Sequence, residues 1–317
     1  MDSEEQTLRF YLSLFSFFFI IIYFIYLFNY KSIELNKNFI YINKDESISN
    51  IANKITKNEN FINKNLFTLI IYISNNFISP INYGKFLFQD KASILHIVKV
   101  ISTKSNYDYK LTFVEGWEEY QLNEYLLSYY TKIDKISYNN LISNTYIINS
   151  SNSFKDLQKF LLKKKNDFFI KYQNNELVKK YGIENILIIS SLVEKEANNN
   201  EDKSLIASVI FNRLNINMKL QIDATVIYSI TEGLYKINRK LTYDDLKIKH
   251  PSNTYVNNGL PPNMISYVGN QTIKIVLENI KSDYLFYFYN IIEKKHIFSK
   301  NFKDHRYKLN EYRQEIK

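Results

Sequence analysis

ILIISSLVEKEA, Ile186–Ala197, is the stretch on which the reading of this chain turns. Eight of its residues, from Ile186 to Val193, carry no charge, and no Gly or Pro interrupts it, so it reads as a helix entering a core. Asn198-Asn-Asn200 follows, and Asn200 is the expected cap of a second helix. Glu201 and Asp202 lie in the first turn of that helix, where the helix dipole favours acids, and it should run to about Leu214. Glu196 lies three residues after Val193, four after Leu192 and seven after Ile189, which places it on their apolar face. Glu194 shares a side with Ser190 and Ser191, a more polar face. A carboxyl held against apolar side chains resists ionisation and can donate a proton near neutral pH. On phase alone Glu196 is therefore the better general-acid candidate, although two solvated helix glutamates fit the same pattern.

Downstream, Leu220-Gln-Ile-Asp-Ala-Thr225 alternates apolar and polar residues, as in a strand with Gln221 and Asp223 on one face. Asn253-Thr-Tyr255 and Gly259-Leu-Pro-Pro262 come next. Three of the chain's four prolines, with Gly233, Gly259 and Gly269, fall in this last third, which marks loops whose backbone geometry matters. Amides, hydroxyls, rings and carboxylates dominate here. Such a mixture suits a carbohydrate, whose hydroxyls need paired donors and acceptors and whose faces stack on rings. An ordinary polar loop region has the same composition.

Upstream, Phe39–Ile42 is a strand candidate, and Ile48, Ile51 and Ile55 have helical spacing. Pro80–Gly84 reads as a turn into a strand at Lys85–Phe88, Ala92–Ile101 as an amphipathic helix, and Leu111–Glu115 as a strand ending at Gly116. Tyr120 to Leu177 reads as helical and polar, broken at Asn149–Ser153, and Lys163-Lys-Lys165 as a solvated helix face. Phe10 to Phe28 is an uncharged run of mostly Phe, Ile, Leu and Tyr. As a helix it spans roughly 28 Å, close to the hydrocarbon thickness of a bilayer. A cleaved signal peptide is the rival reading. The length of the run, the lack of a small-x-small cleavage site and the tyrosines Tyr23, Tyr26 and Tyr30 favour an anchor. Arg9 precedes the run and Lys31, Lys37 and Lys44 follow it, a distribution that does not fix orientation.

The 317 residues carry a net charge of +9 and no cysteine. Disulfides, thiol nucleophiles and zinc–thiolate sites are excluded. The four histidines form no HExxH, so no metal site is expected. Asn, Lys, Ile, Tyr and Phe share A/T-rich codons, and compositional drift accounts for much of the basic and aromatic excess. Without an Arg-rich stripe, nucleic acid is not an expected partner, whereas an anionic membrane surface or cell-wall polymer fits the charge.

Ser191-Leu-Val-Glu-Lys-Glu-Ala197, Ala207-Ser-Val-Ile-Phe-Asn-Arg-Leu214 and Leu220-Gln-Ile-Asp-Ala-Thr-Val-Ile-Tyr228, with Asn253-Thr-Tyr255, Gly259-Leu-Pro-Pro262, His296-Ile-Phe-Ser299 and His305, resemble the YceG-like endolytic murein transglycosylases in order and spacing. The resemblance is strongest over residues 184–305 and extends weakly through Val114-Glu-Gly116 and Tyr83-Gly84. It implies an α+β chain in three parts: a cytoplasmic tip and transmembrane anchor over 1–32, a LysM-like α/β subdomain over 33–110, and a mixed α+β catalytic domain over 111–317. It implies a single-pass bacterial inner-membrane protein with its body in the periplasm. The activity implied is cleavage of the MurNAc–GlcNAc bond of peptidoglycan glycan strands to leave a 1,6-anhydro end, ending strand growth beside cell-wall synthases, with no cofactor. Glu196 maps onto the family's catalytic glutamate. The substrate-binding candidates are Glu194, Asn212, Arg213, Gln221, Asp223, Thr225, Tyr228, Asn253, Tyr255, His296 and Ser299. A two-carboxylate hydrolase using Asp223 beside Glu196, and a glycan-binding scaffold without catalysis, are the alternatives. The chain departs from the family pattern at Tyr138–Tyr146, where a glutamate, a glycine, a proline and an aspartate are replaced, and at Ala224, Ser252 and Asn263.

Overall fold

Short period-two stretches and helices of eight to thirteen residues build the N-terminal part around a small core. The computed structural model describes residues 3–30, 32–34, 38–56, 61–89, 91–197 and 199–316; Lys31, Lys37 and Asn198 lie outside them. Two compact units emerge, Met1–Lys110 with Ile147–Ser153, and Leu111–Tyr146 with Phe154–Lys317.

The first unit opens with α1 (Ser3–Asn29), a helix long and apolar enough to cross a membrane, with exposed side chains along that span. Then come β1 (Ser32–Glu34), β2 (Phe39–Ile42), α2 (Ile48–Ile55), α3 (Phe61–Ile73) running into a π-helical turn at Ser74–Ile78, β3 (Gly84–Leu87), β4 (Lys91–Ser93) and α4 (Ile94–Ile101). β5 (Asp108–Thr112) runs across the boundary. Two antiparallel ribbons result: β2 on β3, with Ile40 opposite Phe86, and β1 on β4, with Ile33 opposite Ala92. The inward residues of both ribbons join Ile51 and Ile55 of α2, Phe67 and Ile71 of α3, and Ile97 and Ile101 of α4 in one core.

The expected strand at Phe39–Ile42 and helix at Ile48–Ile55 both form, the helix capped by Ser47, whose hydroxyl accepts from the Asn50 N–H. The helix expected from Ala92 starts at Ile94, because Ala92 and Ser93 pair with β1 and Ser93 serves as its N-cap. β3 begins at Gly84, whose φ of +127° and close approach to Ser150 leave no room for a side chain. There the Lys85 N–H donates to Ser150 Oγ at 2.8 Å, the Ser105 and Ser150 hydroxyls pair at 2.6 Å, and Asn149 Nδ2 donates to the Ser105 carbonyl at 2.7 Å.

The second unit holds α5 (Glu119–Leu127), β6 (Ile142–Ser143), the start of β7 (Thr145–Asn149), α6 (Phe154–Ile170), α7 (Glu176–Glu196), α8 (Asn200–Asn215), α9 (Asp223–Thr231), β8 (Val268–Gly269), α10 (Asn270–Glu278), the hairpin β9 (Phe286–Asn290) and β10 (Lys295–Ser299), and α11 (Phe302–Glu315). Helices α7, α8 and α10 pack on one another, and β6 pairs parallel to β8.

Four expectations are corrected here. Residues 128–149 are loop, one 3-10 turn (Tyr138–Asn140) and short strand rather than α-helix, and Tyr146 and Ile148 are buried at a spacing of two. The strand expected over Leu111–Glu115 ends at Thr112, and the chain turns at Gly116, φ +78°, whose N–H donates to the Tyr267 carbonyl at 2.8 Å. Asn199 rather than Asn200 caps α8, accepting from the Asp202 N–H at 2.8 Å. Leu220–Thr225 is a turn into α9 rather than a strand. Gln221 sits at φ +51°, its N–H and that of Ile222 bond to Thr254, and Thr225 Oγ1 donates back to the Ile222 carbonyl at 2.6 Å to start the helix.

Candidate active site

Glu196 is the last residue of α7, and its position follows from how that helix is buried. From Ile186 to Glu194 every residue is buried, so the helix has no wet face there. Ser190 and Ser191 satisfy their hydroxyls within the helix, donating to the carbonyls of Ile186 and Ile188. The phase argument agrees with the burial that perturbs Glu196 but fails for Glu194, which lies on no polar side and is buried in an ion pair. Glu194 meets Lys203 of α8 at 2.5 Å and accepts the Gly269 N–H at 3.0 Å, which locks α7, α8 and the start of α10 together. Two residues on, the helix emerges and delivers Glu196 into a cleft of about 830 Å³.

Glu196 and Lys195 from α7, Asn199, Asp202 and Arg213 from the ends of α8, Gln221 and Asp223 from the following turn, and Tyr255 line one side of this cleft. The other side is the β9–β10 hairpin, with Tyr287, Phe288, Tyr289, Lys294 and His296. The Tyr287 hydroxyl donates to Glu196 Oε2 at 3.0 Å. Burial pushes the Glu196 carboxyl up to about 7; the Tyr287 hydrogen bond opposes that rise and the charge of Asp223 adds to it. Burial and the neighbouring Glu196 hold the Tyr287 hydroxyl well above the usual phenol range, so it stays a donor. Asp223 accepts from the Tyr255 hydroxyl at 2.5 Å.

Behind these groups lies a frame of side-chain struts. Arg213 donates from Nε to the Leu285 carbonyl at 2.6 Å and from Nη1 to the Leu220 carbonyl at 2.5 Å, tying the hairpin's entry to the turn that carries Gln221. Asp202 accepts from the His296 backbone at 3.1 Å and pairs with its Nδ1 at 2.7 Å, which fixes β10 on the first turn of α8. Lys195 pairs with Glu118 at 2.6 Å.

Of the residues expected from sequence, the cleft gathers Glu196, Arg213, Gln221, Asp223, Tyr255 and His296. Glu194, Asn212, Thr225, Tyr228, Asn253 and Ser299 do not line it. Asn212 donates to the carbonyls of Ser282 and Tyr284. Thr225 is fully buried and bonded to Thr254 at 2.8 Å, and Asn253 donates to the Leu246 and Ile248 carbonyls. Tyr228 packs edge-on against Tyr138, and Ser299 is buried with no partner for its hydroxyl among the described residues. These side chains shape the loops that form the cleft. Among the described residues no three His, Asp or Glu side chains group as metal ligands would.

A profile of the YceG-like family matches residues 40–311. The chain belongs to that family. Over 166 residues it is 36% identical to a Bacillus subtilis (strain 168) protein named endolytic murein transglycosylase, a match covering 52% of this chain and 45% of that one. A Streptococcus pneumoniae (strain D39) protein of the same name is 32% identical over 168 residues, covering 52% of this chain and 30% of that one. The chain therefore spans less than half the length of these curated relatives. A crystal structure of a YceG-like protein from Listeria monocytogenes superposes with a TM-score of 0.55 at 27% identity, covering 84% of this chain and 97% of that one. In this YceG-like chain, sequence reasoning missed Tyr287, Phe288, Tyr289 and Lys294. The signal was present as the alternating Phe286-Tyr-Phe-Tyr289, but in a chain with 27 tyrosines and 23 phenylalanines an aromatic run carries little contrast.

Proposed function

We propose that the chain is an endolytic murein transglycosylase in which Glu196 alone supplies acid and base. The observation that carries this reading is the Glu196 carboxyl, pushed up to about 7 by burial, at the wall of a cleft lined by tyrosines, amides and charges. At neutral pH such a group is close to half protonated, which suits a residue that must first give and then take a proton. Glu196 protonates the glycosidic oxygen as the bond from MurNAc C1 to that oxygen breaks. The resulting carboxylate then removes the proton from the C6 hydroxyl of the same MurNAc, and O6 closes on C1. The products are a free GlcNAc hydroxyl and a 1,6-anhydroMurNAc end, with no water consumed. Tyr287 holds the carboxyl in place throughout, and the aromatic hairpin offers faces for sugar rings.

Asp223 shares the cleft, which keeps a two-carboxylate hydrolase as the second reading. Digestion of purified glycan strands, with mass analysis of the new ends, separates the two: anhydro ends support the transglycosylase, reducing ends the hydrolase. Glycan release undiminished in Glu196→Gln would remove Glu196 from either mechanism, and no release by the unaltered chain would leave a glycan-binding scaffold.

In this reading α1 anchors the chain in the bacterial inner membrane, the first unit is a LysM-like module and the cleft works in the periplasm, ending strand growth close to cell-wall synthases. The length and apolar character of α1 support the anchor, and the murein in the relatives' names supports the compartment.

A further inference from the structure

The first unit carries a second cavity, of about 440 Å³, between the C-terminal end of α3 and α4. Its walls are Ile70, Ile73, Ile78, Leu95 and Val98, with Lys99 at its edge. The apolar surface continues outside it. Phe77 and Ile78, on the π-helical turn, are 79% and 78% exposed, and Leu69, Tyr72 and Ile73 are exposed beside them. A contiguous apolar patch of this kind on a small unit marks a contact surface.

The path of the chain says what that surface meets. α1 ends at Asn29, and Ser32 already pairs with Ser93, the residue that caps α4. Three residues of extended chain reach at most about 10 Å. Leu95, on the cavity wall, is two residues beyond Ser93. α1 also packs against β4 and α4 within the same unit. The end of the membrane-length helix and the apolar cavity thus lie at one corner of the unit, joined by the β1–β4 pair and by the packing of α1 on α4. Chemistry agrees: among the described residues the cavity is lined by aliphatic side chains, four hydroxyl residues (Ser74, Ser79, Ser102 and Thr103) and one lysine, with no carboxylate. Apolar side chains beside a basic residue and hydroxyls match the boundary between acyl chains and anionic headgroups.

We infer that this cavity and the Phe77–Ile78 turn sit in the headgroup–acyl boundary of the bilayer that α1 crosses, giving the first unit a second, peripheral membrane contact. The inference rests on the anchor reading of α1. It makes the unit a foot pressed onto the lipid surface rather than a body swinging on a tether.

The chain has no cysteine, so single reporter sites can be introduced without background. Phe77→Cys and Tyr72→Cys, with Tyr41→Cys on β2 as the water-facing control, are labelled with an environment-sensitive dye. The full chain is then reconstituted in phosphatidylcholine–phosphatidylglycerol vesicles. The expected result is quenching at positions 77 and 72 by lipids spin-labelled near the headgroup, with a several-fold loss of iodide quenching relative to position 41. Equal iodide quenching at all three positions, in chains that vesicles retain through an alkaline wash, overturns the inference and leaves the anchor standing. Release of the chain by that wash overturns both. Protection that develops only as the protein-to-lipid ratio rises assigns the patch to a second copy and also overturns it.

Discussion

Burial pushes the Glu196 carboxyl up to about 7, and the same burial has a stability consequence of definite sign. An ordinary glutamate titrates near 4.5, so below that pH the carboxyl is protonated in both folded and unfolded chains. As pH rises through 4.5 towards 7 the unfolded chain ionises first, and the folded state loses up to roughly 3 kcal/mol relative to a neutral residue. Glu196→Gln is therefore expected to raise the melting temperature at pH 8, with the gain fading towards pH 4, while glycan cleavage falls by on the order of 10²–10⁴. Thermal unfolding across that pH range, paired with glycan digestion, checks both halves. Tyr287→Phe removes the donor that stabilises the charged carboxylate, so the Glu196 value rises further. In the proposed mechanism the alkaline limb of kcat/KM, set by loss of the acidic proton, then moves to higher pH. A limb that stays in place, with only kcat lowered, would assign Tyr287 to packing alone. The place of Glu196 in the cleft was legible in the sequence through motif resemblance, whereas helical phase misjudged its neighbour. Periodicity cannot register a lysine nine residues away, and Lys203 is what makes Glu194 a buried structural group.

At the scale of elements, the Glu194–Lys203 pair is the joint between α7, α8 and α10, with Lys203 Nζ also donating to Thr272 Oγ1 at 2.8 Å. Burial raises the nearby Glu115 carboxyl, the charge of Glu194 adds to that rise, and Lys203 opposes it. Lys203→Met is expected to cost on the order of 3–5 kcal/mol in urea unfolding, because it strands a buried carboxylate beside a second acid. Loss of under about 1 kcal/mol would mean the pair is more hydrated than its burial implies. Elements whose period was carried by local residues were readable, as at Phe39–Ile42 and Ile48–Ile55. The turn at Leu220–Thr225 was not. Its alternation imitates a strand, but the backbone is set by Thr254, about thirty residues further on, and no local pattern reports that partner. The cleft's hairpin wall escaped for the related reason that its aromatics are unremarkable in this composition.

For the molecule as a whole, α1 predicts retention in the membrane fraction after alkaline extraction. Deletion of residues 1–30 should release the remainder to the supernatant, and a full-length chain extracted as readily as the deletion would argue for a cleaved leader instead. The two-unit organisation carries a consequence in time. The first unit is not finished at Lys110, since Ile147–Ser153 belongs to it and Ser150 closes the polar network around Gly84, Lys85 and Ser105. During synthesis, residues 111–146 must leave the ribosome before that network can form. A nascent chain stalled soon after residue 110 should remain open to protease at the β3 edge, and one stalled well beyond 153 should be protected. Birth order thus couples the two units: the N-terminal one waits, unsealed, for a seven-residue segment made only after the other has begun.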